Sequence, residues 1–295
     1  MFDEGQYFAP VVAKHDGSLT VQLGEGHPGL DDPVYRERRD LIATTADRWT
    51  PGDPAPEVAY TDEEHEVWRV VCDDLRGQAR DLMPAGSSST ARRRSTCRST
   101  GCRSSRSLSD LIEPMTGFRY RPAAGLVPLR EFYGALAEHG FWATQYVRHH
   151  SVPLYTPEPD VLHEVVGHGN TLADRRFTRL VRGRRCCGPS GRVGCRAGVR
   201  QQGLLVHARI GVVHEADGLK AYGAGILSSP GEIEEFRGMT IRPLDLTAMG
   251  TTTYDITHYQ EVLFAASSFG QVEDVVGGFW DSRDDDSIRR LVDAA

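Results

Sequence analysis

Two histidines, His163 and His168, stand five residues apart in the run Tyr155-Thr156-Pro157-Glu158-Pro159-Asp160-Val161-Leu162-His163-Glu164-Val165-Val166-Gly167-His168. On a regular α-helix that separation turns two side chains about 140° apart. Either the two rings are unrelated, one in a helix and one in a loop, or the helix ends or distorts near Gly167 and both rings face one point. Glycine suits the second case because it tolerates conformations that other residues avoid. The run is not the His-Glu-x-x-His zinc-protease motif, whose histidines are four apart and share one helix face. Two histidines and one carboxylate, with coordination positions left open, suit non-haem Fe(II) oxygen chemistry.

Length and charge narrow the class. The chain has 295 residues, the size of one large globular domain, and a net charge of −7, which does not suggest a nucleic-acid partner. No apolar run reaches the roughly 18 residues that a membrane span needs. The start, Met1-Phe2-Asp3-Glu4-Gly5, does not read as a signal peptide, so a cytoplasmic location is expected.

Several longer blocks then point one way. They are Gly117-Phe118-Arg119-Tyr120-Arg121-Pro122 with Ala124-Gly125-Leu126, Phe141 through His149, the Tyr155–His168 run, Lys220 through Ser229, and Pro243 through Phe269. Together they closely resemble the pterin-dependent aromatic amino acid hydroxylases, in particular the bacterial single-domain phenylalanine 4-hydroxylases. The likeness covers roughly residues 110–180 and 211–280 and is weaker over 1–85. It implies a mainly α fold with short β-strands, a basket-like single catalytic domain around an iron ion. It implies Fe(II), a tetrahydropterin such as tetrahydrobiopterin, and O2 as co-substrate. The implied reaction is a monooxygenation that turns phenylalanine into tyrosine.

The resemblance also implies roles for individual residues. His163 and His168 are the histidine ligands of the iron. Asp160 and Ser228 orient His163, and such partners tune the basicity of a ligand. Arg148 clamps the substrate carboxylate with its planar fork. Thr156 and Gly225 line the amino acid site. Phe132 stacks on the pterin, Leu126 and Val127 present backbone to it, and Glu164 faces it. By themselves, Phe132 in the amphipathic stretch Leu129–Leu136 reads as core, and Arg148 reads as a surface charge.

Two stretches break the pattern. Residues 86–107 and 175–202 are rich in Arg, Ser, Gly and Cys, and they hold five of the six cysteines: Cys97, Cys102, Cys186, Cys187 and Cys195. A basic disordered insert, a Cys/His metal cluster and a disulfide framework each fit poorly. A slipped reading frame fits better. Moving the frame forward by one base across Gly203–Ile210 permits Val-Tyr-Trp-Phe-Thr-Leu-Glu-Phe. In the resembled family such a segment precedes the position of Gly211, and its Glu is the third iron ligand. The same shift over 196–202 permits a helical run, and the opposite phase over 95–103 permits a family-like string.

As written, the chain holds Arg209 where that carboxylate belongs. Glu215 and Asp217 read as a solvated loop. Glu164, next to His163 in sequence, is expected to point away from that ring. The expectation is therefore a chain with its third ligand missing, binding iron poorly or folding badly around 175–210. The alternative function is an inactive or damaged relative. A zinc hydrolase built on the His-Glu run is a third reading, disfavoured by the spacing.

Locally, residues 1–60 read as Gly/Pro-rich loops with a strand near Ser18–Leu23. Asp53–Ala79 reads as a loop and then an amphipathic helix, and Leu129–His139 as a helix. Val161–Val166 reads as a helix begun by Asp160 after Pro159. Tyr254–Ser268 alternates polar and apolar residues before turning helical. One domain spanning 1–295, anomalous at about 86–107 and 175–210, and a monomer are expected.

Overall fold

The fold is described from a computed structural model over residues 9–78, 101–181, 210–252 and 259–278. The cores of both anomalous stretches, residues 86–100 and 182–209 with Arg209, lie outside the described residues, as does the tail from 279 onward.

The described chain is mainly helical with short strands, as expected. Strands β1 (Val11–Ala13) and β2 (Leu19–Val21) form an antiparallel hairpin. Helix α1 (Pro33–Asp47) follows, where the sequence reading had placed only loops. Its start was legible. Asp32 accepts hydrogen bonds from the Val34 and Tyr35 amides, and Pro33 occupies the first turn, where no amide proton is needed. Helix α2 (Asp62–Gln78) opens with a reciprocal cap: the Glu64 amide donates to Thr61 Oγ1 and the Thr61 amide to Glu64 Oε2.

Helix α3 (Ser105–Thr116) begins inside the first anomalous stretch, where Ser104 caps it, and ends at the left-handed Gly117. Strand β3 (Arg119–Pro122) pairs in parallel with β4 (Gly140–Ala143) across helix α4 (Leu129–Ala137). A continuous helical segment, residues 161–172, carries the histidines. Helix α5 (Arg175–Val181) then buries Phe177, Thr178 and Leu180, so the described start of the second anomalous stretch is packed helix.

A four-stranded sheet closes the far side. Strands β5 (Val212–Glu215), β6 (Gly218–Ala221), β7 (Thr240–Pro243) and β8 (Val262–Ala266) lie in the order β6-β5-β8-β7, with only the β5/β6 pair antiparallel. Strand β8 occupies part of the span read as alternating before a helix, and the helix there starts only at Phe269. Helices α6 (Ala224–Ser228) and α7 (Pro230–Glu235) come between β6 and β7.

The main core gathers Trp68 and Val71 of α2, Leu108 and Ile112 of α3, Phe118, Phe141, Leu162, Val165, Val212, Ile226 and Leu263. The histidine-bearing segment thus runs through the centre of the core. Among the described residues, no helix is long and apolar enough to cross a membrane.

Candidate metal centre

The five-residue spacing is resolved by a π-turn. His163–His168 forms π-helix, continuous with α-helical residues on both sides. In such a turn the amide bonds back five residues instead of four; here the Gly169 amide reaches the Glu164 carbonyl. Residues five apart then come to the same side of the helix. The Nε2 atoms of His163 and His168 come within 3.1 Å, with the rings nearly perpendicular.

The widened turn is held by its neighbours. Tyr120 donates its hydroxyl to the Glu164 carbonyl at 2.9 Å, Asn170 its amide to the Val166 carbonyl, and Thr171 its hydroxyl to the His168 carbonyl. Burial, with the Glu164 carboxylate adding to it, keeps the Tyr120 phenol well above its ordinary value, so it remains a donor. Gly167 is needed here, but its backbone is helical. A Cβ there would strike the carbonyl oxygen of Ala224 and lie 3.0 Å from that carbonyl's carbon. The glycine admits the backbone of α6, which corrects the expectation that it supplies an unusual conformation.

Helix α6 brings Ser228. Its Oγ lies 2.8 Å from His163 Nδ1, and its own proton goes to the Ala224 carbonyl, also at 2.8 Å. The hydroxyl therefore accepts from Nδ1–H, which leaves Nε2 of His163 as a lone pair aimed toward His168. Two nitrogens each about 2.1 Å from one divalent ion, at right angles, lie about 3.0 Å apart. The observed separation fits that arrangement.

Glu164 completes the set. A carboxylate oxygen of Glu164 and one nitrogen of each histidine all lie within 4.8 Å of one another. The expectation that Glu164 points away is corrected: the slower rotation of the π-turn and the length of the side chain bring the carboxylate back to the rings. Glu164 is thus an acidic group close enough to both rings that the three residues could hold one metal ion. His163, Glu164 and His168 form a two-histidine, one-carboxylate iron site of the kind that leaves positions open. The charge is buried, since Glu164 is only 6% exposed. The Thr144 amide and hydroxyl lie 3.4 and 3.3 Å from its Oε1.

Asp160 touches His163 through the backbone and not through the ring. Its Oδ1 accepts the His163 amide at 3.1 Å, capping the helix as the sequence suggested. It also accepts Nε and Nη2 of Arg148, each at 2.9 Å, and the Arg148 amide at 3.0 Å. Both partners are buried, so Arg148 is not a surface charge. Burial disfavours the charged guanidinium, but Asp160 more than compensates and raises its pKa.

The other predicted residues fall around this centre. Phe132 is half-buried and meets Phe141 edge-on, with ring centres 5.5 Å apart; Phe141 in turn lies 4.6 Å from the His168 ring. Leu126 is exposed and Val127 half-buried on the loop after β3. Thr156 donates to the Glu158 carbonyl at 2.7 Å, within its own loop. Gly225 is buried in α6.

The sequence reading missed a buried ion pair in the Pro-Glu-Pro segment. Arg39 of α1 donates to Glu158 at 2.7 Å, and its guanidinium lies 3.4 Å from the centre of the Tyr146 ring. A glutamate between two prolines was the available signal, though its partner is more than a hundred residues away.

Comparison with known proteins agrees with this geometry. The profile of the family described as biopterin-dependent aromatic amino acid hydroxylase matches residues 10–284. A phenylalanine 3-hydroxylase from Streptomyces coeruleorubidus is 42% identical over 268 residues, covering 90% of this chain and 95% of that protein. A phenylalanine-4-hydroxylase from Dictyostelium discoideum is 35% identical over 93% of this chain, which spans 62% of that longer protein. A solved phenylalanine hydroxylase from Chromobacterium violaceum, holding iron(III) and 7,8-dihydrobiopterin, shares the fold. Its TM-score is 0.65 at 23% identity, over 77% of this chain and 84% of that one.

Proposed function

Because this chain belongs to the biopterin-dependent aromatic amino acid hydroxylases, we propose that it hydroxylates the ring of phenylalanine, and that the oxygen enters at position 3. The observation that carries the reaction class is the π-turn, which gathers His163, Glu164 and His168 on one buried point. The 42% identity to a 3-hydroxylase, along nearly the whole of both chains, supports the position. Position 4, the expectation from sequence, is the second reading, and the likeness to a 4-hydroxylase favours it.

Bound Fe(II) and reduced pterin would supply the activation of O2. The residues of the chain bind, orient and exclude water. His163, in the tautomer enforced by Ser228, and His168 offer nitrogen lone pairs, and Glu164 offers negative charge. Arg148, with Nε and Nη2 donating to Asp160 and one Nη1 proton directed at the Pro153 carbonyl at 3.4 Å, has its second Nη1 proton to meet the carboxylate of the amino acid. Thr156 and Gly225 flank that substrate. Phe132 stacks on the pterin, with Leu126 and Val127 along its edge. Glu164, which the family resemblance would place against the pterin, serves the metal here.

The test is to supply the purified chain with Fe(II), tetrahydrobiopterin, O2 and phenylalanine and to separate the products by chromatography. meta-Tyrosine supports the reading, and para-tyrosine selects the second one. No tyrosine of either kind, with no iron retained, identifies an inactive relative. A hydrolase would need neither iron nor pterin.

A further inference from the structure

We propose that Asp32, His149 and His150 form a second metal site, suited to a borderline divalent ion of the Zn(II) class. One ligand atom from each residue lies within 4.8 Å of the other two. Two imidazoles and one carboxylate favour such an ion over Mg(II) or Ca(II), which take oxygen ligands. The cluster shares no residue with the His163–His168 centre.

Its parts are held in place by contacts that do not involve an ion. Asp32 divides its carboxylate. Oδ1 accepts the Val34 and Tyr35 amides at 2.9 and 3.0 Å and so caps α1. Oδ2 faces His149 Nε2 at 3.2 Å. Two ligand atoms about 2.0–2.1 Å from one tetrahedral ion lie roughly 3.3 Å apart, so an ion fits between these two with little movement.

His149 is fixed from two sides. Its Nδ1 lies 2.7 Å from the Ser151 hydroxyl, and its ring meets Tyr35 edge-on, with centres 4.9 Å apart. A metal-ligating histidine gives its second ring nitrogen to a partner of this kind, which fixes the ring. The Ser151 amide also points at Nδ1, from 3.3 Å, and so favours the proton on Nε2 while no ion is bound. On binding, Nε2 gives up that proton, and the neutral ring carries its one proton on Nδ1, donated to the Ser151 hydroxyl.

His150 lies at a tilt against His149, with ring centres 4.3 Å apart. Glu63 of α2 reaches His150 Nδ1 at 3.3 Å and adds negative charge. The His150 side chain is 41% exposed and that of His149 only 7%, so an ion enters from the His150 side and keeps water there. Asp32 begins α1, and the two histidines directly follow Arg148. An ion held by all three therefore ties the first helix to the segment that carries Arg148.

The experiment titrates Zn(II) alone into the full chain by calorimetry and reads thermal midpoints with and without Zn(II). The cysteines and the His163–His168 pair also attract Zn(II), so each reading is a difference between variants that keep those groups. His150→Ala removes an exposed ligand. It is expected to lose one equivalent of Zn(II) and part of the rise in midpoint that Zn(II) gives wild type. Asp32→Asn keeps a capping side chain and loses the charge, and it is expected to bind the same equivalent at least about 10-fold more weakly. His163→Ala is expected to retain that equivalent.

Equal stoichiometry and affinity in His150→Ala and wild type overturn the proposal. So does a double variant, His150→Ala with His163→Ala, that loses no more Zn(II) than either single variant, because both losses would then lie at one site. If Asp32→Asn does not fold, His150→Ala and the double variant decide by the same criteria.

Discussion

Asp160 holds the guanidinium of Arg148 through both carboxylate oxygens, each at 2.9 Å, with both side chains buried. The same carboxylate accepts the His163 amide. The proposed clamp for the substrate and the first histidine of the metal site therefore share one anchor. Replacing Asp160 with Asn leaves a buried cation without its counter-charge. We expect a loss of about 3–5 kcal/mol in stability, read by chemical denaturation. In the folded fraction the KM for phenylalanine should rise more than the affinity for metal falls.

Ser228 sets the tautomer of His163 by accepting from Nδ1. Ser228→Ala removes that acceptor and leaves the ring free to turn or to switch tautomer. Metal affinity should fall about 10–100-fold, measured by titration with Fe(II) under anaerobic conditions. A loss of about 1–3 kcal/mol in stability is expected alongside, because the buried Nδ1–H of His163 is left without its acceptor.

Gly167 lies against the backbone of Ala224, where a Cβ has no room. Gly167→Ala should push α6 away from the π-turn and carry Ser228 with it. Overpacking of this kind costs about 1–3 kcal/mol. Denaturation should show that loss, and metal titration should show weakened binding. A variant that binds metal as wild type does would mean that α6 yields without moving Ser228.

The pair of Arg39 and Glu158 predicts a pH dependence. Burial by itself raises the Glu158 carboxyl, yet the Arg39 guanidinium and the His27 ring hold it below its ordinary 4.5. A folded-state value below the unfolded one means that the unfolded chain binds the proton more tightly. The pair therefore stabilises the fold above about pH 4.5, and the contribution fades as the pH drops through the lower folded value. Urea midpoints for wild type and Glu158→Gln should differ most at neutral pH and converge in acid. A constant difference across that range would contradict the assignment.

Much of the site was legible in the sequence because its residues are close along the chain. The run from Asp160 to His168 announced a capped helix with two imidazoles and left open whether that helix distorts; the structure supplies the distortion as a π-turn. The likeness to a hydroxylase family picked out Ser228 as a partner of His163 from a distant block, and it lies 2.8 Å away. The strand Leu19–Val21 lies within the expected Ser18–Leu23 span, though its partner Val11–Ala13 was not foreseen, and the helices Asp62–Gln78 and Leu129–Ala137 lie where amphipathic stretches were read. Helix α1 was missed although Asp32 and Pro33 signalled it, because weight was given to the glycines and prolines around it.

What the sequence by itself determined is the ligand-bearing segment, its cap and the type of chemistry its residues suit, since these depend on neighbours within a few residues. Only the tertiary structure decided which carboxylate lies beside the imidazoles. The choice depends on how far each residue rotates around the helix axis, and periodicity read from sequence assumes the α value. Packing of Ala224 on Gly167 and the reach of Tyr120 to the Glu164 carbonyl widen that turn. The widened turn points Glu164 back at the pair, through contacts between segments far apart in the chain.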